Sequence, residues 1–199
     1  MVRIATDVVL LPDETMTERA IEVNKRLVGD RREEIVLNGE THLPHISLAM
    51  GCVDEKEVDT IGELLQGLSE KTAVNRLSVV GILTPTNSRG EKTSLLEVGK
   101  TDEMQMLHER IMKETKPFFS HDVTDAMIYD DVVAATTLEW IHDYPQKASF
   151  ERFSPHITIG YGELEPGLSF PIQFRITRLA LCHLGNHCTC RKILAATSL

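Results

Sequence analysis

Residues 44–51 read Pro-His-Ile-Ser-Leu-Ala-Met-Gly, and residues 155–162 read Pro-His-Ile-Thr-Ile-Gly-Tyr-Gly. Pro, His, Ile and Gly hold the same places in both copies, Ser47 is matched by Thr158, and Leu48 by Ile159. Each copy is short, aliphatic and bounded by Pro and Gly, which predicts a buried strand. Side chains alternate faces along a strand. His45 and Ser47 therefore share one face and Ile46 and Leu48 the other; His156 and Thr158 likewise oppose Ile157 and Ile159. Each strand is expected to set aliphatic groups into a core and to offer an imidazole and a hydroxyl on its other side. Two such strands, far apart in the chain, predict a duplicated, two-lobed architecture rather than a solenoid. With the lobes face to face, two imidazoles and two hydroxyls meet in one cleft.

Those four groups suit phosphate ester chemistry. In-line displacement at phosphorus puts the nucleophile and the leaving oxygen on opposite sides. One imidazole can take a proton on one side while the other gives one on the far side, since a pKa near ~6.5 permits either near neutral pH. The hydroxyls can donate hydrogen bonds to the non-bridging oxygens as charge builds there. The scheme calls for no metal or cofactor. A single His-x-Ser or His-x-Thr is common; the matched pair in one context is the informative feature.

The doubled His-aliphatic-hydroxyl-aliphatic pattern resembles the 2H phosphoesterase superfamily, which includes bacterial 2′,5′-RNA ligases, 2′,3′-cyclic nucleotide phosphodiesterases and enzymes that degrade 2′,5′-oligoadenylates. The resemblance implies that His45, Ser47, His156 and Thr158 are the catalytic residues. Several members place Arg or Lys five residues after the second histidine, near the bound phosphate. Here that position is Tyr161, which the resemblance makes a substrate-binding residue of different chemistry.

With 199 residues, 42% of them hydrophobic, the chain is expected to be a single domain of two fused lobes over residues 1–199, burying about 70% of its unfolded surface. No apolar run approaches the ~20 residues of a membrane span. The start of the chain lacks the basic region, long apolar core and cleavage site of a signal peptide. These features predict a cytoplasmic protein with its four cysteines reduced. The net charge of −9 argues against long duplex nucleic acid, whose binding rests on phosphate neutralisation. It favours a small nucleotide or an RNA terminus as partner, away from membranes.

Along the chain, residues 3–11 predict a strand ended by Pro12. A helix follows, capped by Thr15 with Glu18 and stopped by Gly29, with Met16, Ala20, Val23 and Leu27 on one stripe. Residues 30–34 read as a charged turn, 34–37 as a short strand and Asn38-Gly39 as a turn. After the first motif, residues 54–71 predict a helix, 74–83 and 93–98 a strand pair, and 84–92 a loop whose Arg89 and Lys92 could reach a phosphate. Thr101 caps a helix to about residue 116. Residues 131–146 predict another, packing through Val132, Val133, Thr136, Trp140 and Tyr144. Residues 170–184 and 187–196 predict a hairpin around Gly185-Asn186, with Cys182 across from Cys188.

The order gives an α+β fold: two pseudo-symmetric lobes, each an antiparallel sheet with outer helices, enclosing a central cleft. The expected function is a metal-independent phosphodiesterase acting on 2′,3′-cyclic phosphate or 2′,5′-linked nucleotide and RNA-end substrates. The alternative is a module that binds nucleotides or RNA ends without turnover. A third reading is a zinc hydrolase built on His183, His187, Cys188 and Cys190; it is weaker because Cys-x-Cys is not the usual zinc spacing and the residues fall on the hairpin. His121 with Asp122 and Asp125 forms a looser set of the same kind.

Overall fold

Strand β1 (Arg3–Pro12) lies inside the sheet, with β2 (Ile46–Asp54) antiparallel on one side and β6 (Ile172–Leu184) antiparallel on the other. Its residues from Ile4 to Pro12 are buried, as an apolar run covered on both faces requires, and Asp7 is the one charged residue among them. The computed structural model describes residues 2–29, 35–86, 90–165 and 167–199. The charged turn at 30–34 and Arg89 lie outside the described residues.

Among the described residues seven strands form one sheet in the order β2-β1-β6-β3-β4-β5, with β7 (Cys190–Ser198) pairing β6 off this path. The remaining members are β3 (Arg76–Leu83), β4 (Thr93–Val98) and β5 (His156–Tyr161), and every pairing is antiparallel. Strand β6 joins the halves. Its first residues, Ile172 to Arg175, pair with β3, and the stretch from Ile176 to His183 pairs with β1. A strand of 13 residues spans about 44 Å, enough to serve both. The expected two sheets are thus one sheet continued through β6, and a motif strand ends each side of the path.

The helices cross between the halves. Helix α1 (Glu14–Val28) follows β1 but packs on β5, whereas α3 (Asp102–Thr115) follows β4 but packs on β2. Helix α4 (Ala135–Lys147) also covers β2, and α2 (Val58–Ser69) covers β6 and β7. Beneath them Ile46, Leu48, Ile157 and Ile159 are each 0% exposed in one core. Burial of each contributes about 2 kcal/mol, so the aliphatic alternates anchor the motif strands and fix which face the histidines take.

Several local expectations change. Asp13, not Thr15, caps α1: its Oδ1 accepts from the Met16 N–H at 2.9 Å while its Oδ2 accepts from the Arg175 N–H at 2.9 Å. The cap therefore also ties the helix to β6. Gly29 closes α1 at φ 55°, where a side chain would be strained, and Thr101 caps α3 as expected. Residues 35–37 are not a strand. The buried Asn24 holds them instead, its Nδ2 donating to the carbonyls of Ile35 and Ile159 at 2.7 and 2.6 Å and its Oδ1 accepting from the Leu37 N–H at 2.9 Å. Asn38 Oδ1 accepts from the N–H groups of Glu40, Thr41 and His42, which makes the expected turn.

Helix α4 buries Thr137, Ile141 and Tyr144. Its inward stripe is displaced by one residue from the predicted Thr136 and Trp140, and Val132 is exposed. The terminal hairpin forms, but its turn takes in Asn186–Cys188 with His187 and Cys188 at positive φ. This longer turn puts Cys190, rather than Cys188, beside Cys182, and the two form a disulfide. The expectation of four reduced cysteines is corrected accordingly; Cys52 and Cys188 are free. Among the described residues no helix is long and apolar enough to cross a membrane.

Candidate active site

Each motif builds its histidine in the same way. The residue before a proline is driven to an extended conformation, and in Leu43-Pro44-His45 and Ser154-Pro155-His156 this brings the carbonyl two residues back onto the ring. His45 Nδ1 donates to the Leu43 carbonyl at 2.7 Å, and His156 Nδ1 donates to the Ser154 carbonyl at 2.7 Å. A carbonyl can only accept, so Nδ1 carries hydrogen in both rings and Nε2 is left for chemistry.

Both rings line one cavity of about 350 Å³ together with Ser47, Thr158 and Tyr161. The five residues singled out in the sequence are thus brought together. The volume lies at the small end of the ~300–1,000 Å³ of ligand pockets. Strand β2 supplies Ser47, β5 supplies His156, Thr158 and Tyr161, and His45 directly precedes β2. Burial pushes the His45 pKa down, against the pull of the Leu43 carbonyl, with repulsion from His156 adding to the fall. Burial also lowers His156, opposed by its bond to Ser154. That repulsion places His45 within the field of His156.

Tyr161 Oη lies 2.9 Å from His187 Nδ1, and the rings meet edge to face. Asn186 Oδ1 accepts from the Ala134 N–H, the Thr137 hydroxyl and the His187 N–H, which leaves its Nδ2 to donate to His187 Nε2 at 3.1 Å. Nδ1 of a neutral His187 then donates to Tyr161. Trp140, 40% exposed, supplies flat apolar surface to the same cavity, and the buried Phe153 lies in its wall. Among the described residues no lysine, arginine, aspartate or glutamate lines it.

Sequence reasoning missed two groups here. Asp7 is fully buried with its Oδ2 3.9 Å from His45 Nε2; its signal was a lone acid inside the apolar run of β1. Neither of its oxygens has a hydrogen-bond partner of good geometry. The Ser47 hydroxyl and the Ala49 N–H lie near enough to oppose, without overcoming, the rise that burial imposes on its pKa. His187 was read as a metal candidate, but it is hydrogen-bonded to Tyr161.

The other ligand candidates are dispersed. His183 Nε2 donates to the Met127 carbonyl, Cys190 is in the disulfide, and His121 Nε2 donates to the Met50 carbonyl. Among the described residues no group of three or more His, Cys, Asp or Glu side chains is placed to hold a metal. Lys92, on the loop after β3, pairs with Glu163.

The sequence model of the 2′-5′ RNA ligase superfamily matches residues 28–187. A solved structure described as a crystal structure of a phosphoesterase aligns over 98% of both chains at 12% identity, with a TM-score of 0.46. No curated protein matches the chain.

Proposed function

Because the chain belongs to the 2′-5′ RNA ligase superfamily of 2H phosphoesterases, we propose that it is a metal-independent phosphodiesterase acting on 2′,3′-cyclic phosphates or 2′,5′-linked nucleotides and RNA ends. The observation that carries this reading is the matched pair of imidazoles: each is tied through Nδ1 to the carbonyl two residues back, and each lines one small cavity with a hydroxyl two residues on. Such a pair can move two protons at once. One Nε2 takes a proton from water as the water oxygen bonds to phosphorus. The other Nε2 gives a proton to the ribose oxygen as the P–O bond breaks. Ser47 and Thr158 donate to the non-bridging oxygens, where negative charge grows. Trp140 offers a stacking face for one base.

Two features favour a small substrate. The cavity holds little beyond one nucleotide, and its described lining has no fixed cation. Tyr161 stands where several relatives carry one, so a single phosphodiester charge suits the site better than a polyanion.

Incubation with 2′,3′-cyclic mononucleotides, 2′,5′-linked dinucleotides and RNA ending in a cyclic phosphate tests the proposal. Ring-opened or cleaved monophosphate product, formed in EDTA, is expected. Tight binding of these compounds with no product would replace the enzyme with a nucleotide- or RNA-end-binding module.

A further inference from the structure

The two histidines are spelled alike, but their surroundings are not. Asp7 Oδ2 lies 3.9 Å from His45 Nε2, the nitrogen left for chemistry, and the carboxylate is 0% exposed, with only the Ser47 hydroxyl and the Ala49 N–H near it and neither in good hydrogen-bond geometry. Among the described residues His156 has no such neighbour. Glu97 is its register partner on β4, but the Glu97 carboxylate runs toward Gly81, and burial and the Ser154 carbonyl are what act on His156.

A buried carboxylate so weakly hydrogen-bonded is costly unless a cation or a proton compensates it. The groups around Asp7 narrow the choice. Ser47 on β2 is a hydroxyl. Tyr144 on α4 and Cys188 in the hairpin turn are both pushed up by burial and by the charge of Asp7 itself, so both stay neutral. Among the described residues no lysine or arginine lines the adjoining cavity. Among the described residues His45 is the cation-forming group paired with Asp7, and it shares the cavity with the second imidazole, His156.

We propose that Asp7 is a positioning residue that holds one proton jointly with His45, which makes His45 the donor to the leaving oxygen and leaves His156 as the base. Taken singly, burial disfavours both the carboxylate and the imidazolium; taken together, each charge offsets the desolvation of the other. The two titrations then belong to the pair, which keeps its last proton to higher pH than an isolated buried His45 would. His156, lacking a carboxylate, gives up its proton first. In turnover the His45 N–H bond breaks as the ribose oxygen gains the proton, and His156 gains the proton that water loses; exchange with solvent restores both. The assignment of roles rests on the phosphodiesterase reading, whereas the shared proton does not.

The test compares the native protein with Asp7→Asn, labelled in its histidine rings, through a pH series followed by NMR, with the His45 signals assigned by their loss in His45→Gln. The native His45 ring is expected to change in a step near or above neutral pH. In Asp7→Asn that step should vanish, leaving a ring neutral down to about 4, the value that burial, the Leu43 carbonyl and His156 set between them with no contribution from Asp7. Identical His45 titrations in the two proteins overturn the shared proton whether or not a substrate has been found. With a cyclic nucleotide as substrate, Asp7→Asn should lower kcat on the order of tenfold or more while KM moves less than about twofold, and the alkaline limb of the rate profile should shift to lower pH. Movement of the acid limb alone would reverse the roles of the two histidines. Should Asp7→Asn not fold, the native series decides: a His45 ring with no step above about pH 5 overturns the proposal.

Discussion

His108 Nδ1 donates to the carbonyl of Leu48 at 2.7 Å, joining α3 to the back of the first motif strand. On its other side Nε2 accepts from the Phe150 N–H at 2.7 Å, and the ring stacks on Phe153 with centroids 4.0 Å apart. One buried imidazole therefore connects β2 to the segment that leads into the second motif. Both nitrogens are used only if the ring is neutral, and burial first of all holds its pKa at about 4.

That arrangement makes the fold sensitive to acid. The unfolded histidine takes its proton near ~6.5, well above the folded value, so the unfolded state binds protons first as pH falls. Stability is full above about 6.5 and should decline toward pH 4, by up to roughly 3 kcal/mol from His108. Replacing His108 with Leu strands the Phe150 N–H and the Leu48 carbonyl, which should cost about 2–4 kcal/mol at pH 7. It should also flatten the decline between pH 6.5 and 4. Urea titrations at several pH values measure both effects; an unchanged slope in the variant would contradict this role.

Asn24 replaces a strand ladder with a side chain. Its three hydrogen bonds hold residues 35–37 and β5 against α1. Asn24→Leu removes all three and leaves buried backbone groups unpaired, for a loss of roughly 3–5 kcal/mol in chemical denaturation. A loss under about 1 kcal/mol would mean that the backbone finds other partners.

The lack of a cation in the described lining has a kinetic signature. Apparent affinity for a mononucleotide should change little with salt, and lengthening an RNA substrate beyond a few nucleotides should raise kcat/KM little. Tyr161→Arg puts a charge into the cavity wall and should steepen the salt dependence. Strong salt dependence in the native protein, with a large gain from longer RNA, would point to a basic groove beyond the cavity.

Much of this was legible in two eight-residue stretches. Period-two alternation assigned His45, Ser47, His156 and Thr158 to one face because a buried partner face leaves no other register. Aliphatic spacing found the helices, and Thr101 and Gly29 marked two of their ends. Long-range facts were not legible. Nothing local says that β6 runs through both halves, or that α1 backs β5 and α3 backs β2. The hairpin pairing was missed because the turn after Gly185 holds residues at positive φ that few sequences announce, so Cys182 meets Cys190. Asp7 was passed over because a lone acid in an apolar strand gives no sign of its neighbour, which arrives from β2.

The most direct test of the two-histidine account is the rate of 2′,3′-cyclic nucleotide hydrolysis by His45→Gln, His156→Gln and the double variant, each first shown to be folded. The account predicts that each single change lowers kcat by on the order of 10²–10⁴, and that the double variant is scarcely slower than the worse single one, because the two rings act as a unit. Near-native turnover in either single variant would contradict it.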